Sequence, residues 1–159
     1  MSRDYTINKP DYVIAKIVYA IIPAMEQQHS EAIDMQKMIA DYMENGLLDN
    51  IIDMFKYDKN FYDYIPTLIK DERMRVRIGT VALLETLAKE DAENTEKAIR
   101  LLIPLLKDSN PLVIGDVSYV LGLIGTKDML PFLEEIVDNQ DSNVKTIVQE
   151  AIQDIRSRQ

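Results

Sequence analysis

The sequence reads as an all-α protein, a solenoid of antiparallel helix pairs with about nine helices. Two observations carry that reading. Apolar residues recur at spacings of three and four nearly end to end, and no stretch alternates strictly between hairpin turns. A block with an Ile-Pro or Leu-Pro element, an inter-helix valine and a second apolar run then occurs three times, the mark of a repeat architecture. Punctuation agrees. Only 5 of the 159 residues are Gly, and Gly46 and Gly125 stand where helix C-caps fall.

The elements follow in order. Asn8-Lys9-Pro10 opens the first helix, with proline near the first turn, where its missing N–H is no loss. Val13, Ile14, Ile17, Val18, Ile21, Ile22 and Met25 leave this helix few polar gaps, so both of its sides want cover. It is expected to pack on the helices of residues 31–56 and to seal the open end of the first repeat. Ser30 is placed to cap a second helix that ends at Asn45-Gly46. A third covers 47–56, and Asn60 can cap a fourth that runs to residue 69. Helices over 74–88, 95–107, 111–124, 127–137 and 143–156 complete the chain. Their connections are short, which makes sequential helices antiparallel neighbours.

Three segments align on Val76, Val113 and Val144. Each valine follows a proline element: Ile65-Pro66, Ile103-Pro104 and Leu130-Pro131. The first spacing exceeds the second, and the excess is assigned to extra polar chain at residues 89–94, where a solenoid tolerates insertions. Each helix pair carries two apolar faces and must stack on its neighbours to bury both. The middle repeat is apolar most broadly, at Leu101, Leu102, Leu105, Leu106, Val113, Val117, Val120, Leu121 and Ile124. In the last helix, Thr146, Gln149, Glu150, Gln153 and Asp154 form one wetted flank, as a capping repeat requires.

Lys107-Asp108-Ser109-Asn110-Pro111-Leu112-Val113, followed by Val120-Leu121-Gly122-Leu123-Ile124-Gly125, resembles a HEAT repeat. It is similar to the short type, roughly 30 residues long, of phycobilisome-lyase-like proteins. The resemblance covers residues 61–159. It departs from the pattern at Ile114, where Arg77 and Lys145 supply a basic residue, and at Val117 and Tyr119, where small residues are usual. The resemblance implies a right-handed α-α superhelix whose second helices line a concave face. The chain is then one solenoid domain over 1–159: a divergent repeat or capping helices at 1–57, and three HEAT-like repeats at 58–159.

Composition narrows the function. Lys and Arg number 18 against 27 Asp and Glu, a net charge of −9. That balance works against nucleic acid and anionic membrane surfaces, which are gripped by clustered cations. The absence of Cys removes disulfides, thiolate nucleophiles and Cys-zinc sites. The longest apolar stretch, residues 12–25, is short and interrupted by Lys16 and Pro23, so no transmembrane helix or leader is expected and a cytoplasmic location is the default.

Candidate chemistry is sparse. The single His29 has no partner at ligand spacing and reads as a solvated residue at a helix start. The acidic pairs Asp71-Glu72, Glu90-Asp91, Glu134-Glu135 and Asp138 with Asp141 sit in polar connections or on helix flanks, where both members stay ionised and their pKa values do not separate. Residues 138–143 lack the glycine and closing glutamate of a Ca²⁺ loop. Arg73, Arg75 and Arg77 form the one dense basic cluster; inter-repeat ion pairing is expected of it ahead of anion binding. Met25, Met35, Met38, Met43 and Met54 read as core packing rather than a plastic binding surface. No catalytic residue, metal ligand or cofactor is assigned.

The expected function is a non-catalytic protein-interaction scaffold. The resemblance also implies an alternative, a lyase-like or chromophore-handling accessory protein. Aligning the repeats leaves as outward positions Gly79, Asp116 and Ile147; Ala82, Tyr119 and Glu150; Thr86, Leu123 and Asp154. Asp116, Tyr119 and Leu123 share one face of the middle repeat's second helix, flanked by Glu150 and Asp154. These five residues are the expected partner-binding site. The implied partner is a protein segment with an apolar anchor and basic flanks. Oligomeric state is not fixed by the pattern.

Overall fold

The computed structural model describes the backbone of residues 9–158, and side chains from residue 21 onward except Asn139. The described residues form eight α-helices and four short 3-10 segments, with no strand. The helices are α1 (Lys9–Glu44), α2 (Leu48–Tyr57), α3 (Ile65–Leu68), α4 (Met74–Glu90), α5 (Ala92–Arg100), α6 (Pro111–Ile124), α7 (Leu130–Ile136) and α8 (Ser142–Ser157). None of them is long and apolar enough to cross a membrane. The chain divides into two units, Met1–Lys37 and Met38–Gln159.

The first unit holds most of α1. The break expected at Ser30 is not made, and the two helices read from the sequence are one. Residues 24–32 contain neither Gly nor Pro, so nothing stops the helix there, and Gln27 Nε2 donates to Glu31 Oε1 at 3.2 Å across the expected boundary. Pro23 lies inside the helix. Because residues 12–25 and 31–37 share one helix, the first cannot pack on the second as expected. Ile21, Ile22 and Met25 are exposed, as is His29 in mid-helix. Val13, Ile14, Ile17 and Val18 lie outside the described side chains.

The second unit is built from repeats. Its core takes the anchor valines Val76, Val113 and Val144 together with Leu83, Leu84, Leu87, Val120, Leu121, Val148 and Ala151. Ile39 and Met43 at the end of α1, and Ile51 and Phe55 of α2, are buried in the same unit. Met35, Met38 and Met54 are half-buried, so the core reading of the methionines fails only at Met25 among these five. Leu101 is exposed, a second departure from the expected core.

The first helix of each pair is shorter than its apolar run suggests, and the recurring proline is the reason. Pro66, Pro104 and Pro131 each fall at the first or second position of a helical segment. A proline there cannot donate to the preceding turn, so each run breaks into a 3-10 piece and a short helix. Residues 60–69 thus become a 3-10 segment, Lys59–Tyr64, followed by α3. Residues 95–107 become α5 and a 3-10 segment over Ile103–Lys107. The second helices α4, α6 and α8 lack such a proline in their interiors and run unbroken for 17, 14 and 16 residues. The expected insertion at residues 89–94 is not a loop. Lys89 and Glu90 extend α4, and the break is confined to Asp91 before α5 begins at Ala92.

Helix ends are closed by named groups. Gly46 ends α1 with φ of 78°, a left-handed conformation that favours glycine. Asn110 caps α6 by accepting from the Leu112 N–H, and Asp141 caps α8 by accepting from the Asn143 and Val144 N–H groups. Arg158 donates to the carbonyl oxygens of Gly122 and Gly125 at the end of α6. Ion pairs tie successive repeats: Lys70 with Asp108 at 2.7 Å and Lys107 with Glu135 at 2.7 Å.

Candidate functional site

Where α6 and α8 approach, two glycines set their separation. A Cβ on Gly122 would lie 2.8 Å from the Ala151 Cα, so the helices touch at backbone level there. At Gly115, two turns earlier, the nearest group is the end of the Ile147 side chain at 3.4 Å. The helices are therefore in close contact at one end and leave a groove of about 340 Å³ at the other. Gly115 and Val144 are buried along it, and Leu112, Tyr119 and Ile147 supply its apolar walls. Pro111, Asp116, Asp141, Asn143 and Glu150 complete the lining. Leu112 and Tyr119 are exposed by 59% and 55%, both on the groove wall.

The groove holds three of the five residues expected from sequence: Asp116, Tyr119 and Glu150. Leu123 and Asp154 do not line it. Leu123 is half-buried farther along α6, and Asp154 is exposed beyond the point of closest helix approach. The sequence reading missed Leu112 as a site residue, although the alignment signals it: it precedes the anchor valine, where the other repeats carry Arg75 and Asn143. It also missed Gly115, whose signal is a glycine inside a helix, marking a close approach or a gap.

Charge around the groove is uneven. Asp116 is half-buried and held by Arg77, whose Nε donates to it at 2.9 Å while Nη1 reaches the carbonyl oxygens of Asp71 and Glu72 at 3.1 and 3.2 Å. Arg77 thus joins α4 to α6, the inter-repeat role expected of it. Arg73 is likewise engaged, with Asp71 at 2.9 Å and Asp41 at 2.7 Å, and the bond from its guanidinium holds the Asp71 carboxyl below the usual carboxylate range. Asp141 accepts backbone N–H groups at the start of α8. Glu150 and Asp154 form no ion pair with any described residue. The groove therefore offers an apolar slot with uncompensated negative charge on its α8 side. It suits one or two apolar side chains carried beside cations.

Comparison with known protein families finds a match to HEAT repeats over residues 63–153. It identifies HEAT repeats without assigning a subtype. Comparison with curated proteins and with solved structures finds no match.

Proposed function

The chain belongs to the HEAT-repeat family, and from that premise we propose that it is a non-catalytic scaffold that binds another protein along its second helices. The groove between α6 and α8 receives an apolar side chain of the partner, and Glu150 on its wall attracts a basic residue beside it. Solenoids of this kind use extended surfaces formed by successive repeats, and three features support the assignment. Leu112 and Tyr119 present exposed apolar surface on the groove wall. Gly115 leaves the groove open rather than filled. The net charge of −9 steers a cationic segment toward the molecule.

The observation that carries the reading is the exposed Tyr119–Leu112 wall facing Ile147 across a glycine. A random peptide library selected on the full chain tests it. Enriched peptides should share an apolar residue with Lys or Arg on at least one side, and Tyr119→Ala should weaken them at least about tenfold without lowering the melting temperature. Enrichment of acidic peptides, or binding indifferent to Tyr119, would refute the assignment.

A further inference from the structure

Residues 21–33 of α1 carry large apolar side chains that no described residue of their own unit covers. Ile21, Ile22, Met25 and Ile33 are exposed, Met25 by 62%. In the sequence, Ile14 begins a series that steps alternately by four and three through Val18, Ile21, Met25, Gln28, Ala32 and Met35. That is a heptad seam sustained for three heptads. Ile17 and Ile22 flank it, the positions that border the seam in a paired helix. A hollow lined by Met25, Glu26, Gln28, His29 and Ala32 lies on this seam. Positions 25, 28, 29 and 32 are the i, i+3, i+4 and i+7 set that receives one side chain of a facing helix in coiled-coil packing. The positions farthest from the seam are Lys16, Pro23, Ser30 and Lys37, so the internal proline falls where a partner helix does not approach.

Gln28 identifies the occupant. It is the one polar residue of the seam, and a wholly apolar partner would bury its amide without hydrogen bonds. A second copy of the same helix, parallel and in register, sets Gln28 against Gln28, and each amide can donate to the other. Single buried amides specify register in paired helices in this way. Of the described seam positions, Ile21, Met25 and Gln28 are exposed and Ala32 and Met35 half-buried, so the seam is open to a second helix over its described length. We propose that residues 14–35 of α1 pair with the same residues of a second copy of this chain as a parallel two-stranded coiled coil.

The chain contains no cysteine, so one introduced thiol reports on pairing without background. The full-length protein at tens of micromolar should sediment at twice the monomer mass. Ile21→Cys on the seam should form a covalent dimer under mild oxidation, and Ser30→Cys on the far side should not. Ile21→Asp should raise the dissociation constant at least about 100-fold while the melting temperature of the repeats stays unchanged. A monomer at that concentration, a dimer indifferent to Ile21→Asp, or equal cross-linking from both thiols would overturn the proposal.

Discussion

Gly115 and Gly122 lie seven residues apart on the same face of α6, and the same one-carbon change should act oppositely on them. At Gly122 an added Cβ meets the Ala151 Cα at 2.8 Å and its Cβ at 2.9 Å. Ordinary carbon contacts lie near 3.5–4.0 Å, so α8 must withdraw by roughly 0.7–1 Å. The obstructing atoms are backbone and a methyl with no rotamer to change, so the strain cannot be relieved locally. Overpacking of this kind costs about 1–3 kcal/mol, and because the helices lose contact along their length the upper part of that range applies. Replacing glycine by alanine inside a helix returns about 1 kcal/mol. Gly122→Ala should therefore lose about 1–2 kcal/mol net, or roughly 3–8 °C in melting temperature for a chain of this size. At Gly115 the new methyl meets only the terminal carbon of Ile147 at 3.4 Å, in a groove with room beyond it. Gly115→Ala should keep the helix gain and melt at or slightly above the wild-type temperature. Differential scanning calorimetry of both variants reads the contrast directly. Equal melting temperatures, or a Gly122→Ala protein as stable as wild type, would refute the reasoning about how α6 and α8 meet.

Other perturbations test the repeat contacts. Arg77→Ala removes the bridge to Asp116 and two carbonyl contacts, and urea unfolding should show a loss of about 1–2 kcal/mol. Asp91 is held down to about 2, first by the bond from Lys59 and further by Asn94 and Tyr62. A folded-state value below the unfolded one means that its contribution is complete above about pH 4 and disappears as the pH falls toward 2. Asp91→Asn should therefore cost about 1–2 kcal/mol at neutral pH, and urea titrations should show that difference vanishing near pH 2. Deleting residues 1–57 removes Ile39, Met43, Ile51 and Phe55 from the core, at about 1.5–3 kcal/mol each. The remainder should aggregate or lose cooperative melting; a fragment as stable as the full chain would place these residues outside the repeat core.

The repeat register was legible because it rests on burial. Val76, Val113 and Val144 are apolar in every copy, and each proves to be buried. Helix boundaries were harder where two local signals compete. Ser30 has the chemistry of a cap, but a cap needs a chain break before it, and the helix formers on either side of Ser30 provide none. The prolines at 66, 104 and 131 were visible as repeat markers, while their effect on the first helices depends on where each run begins. Counting helix faces brings out Asp116, Tyr119 and Glu150, three of the ten residues that line the groove. Leu123 and Asp154 share that face but lie past Gly122, where the helices close. That closure depends on the distance between α6 and α8, which a single helix's periodicity does not contain.

The most direct test of the interaction surface is methyl and amide chemical-shift mapping of the full chain with a peptide selected on it. The account predicts shifts concentrated at the Leu112, Val144 and Ile147 methyls and the Gly115 amide, weakening as salt screens Glu150. Shifts centred on the opposite helices, at Leu101 or around Phe132, with the groove unperturbed, would contradict it.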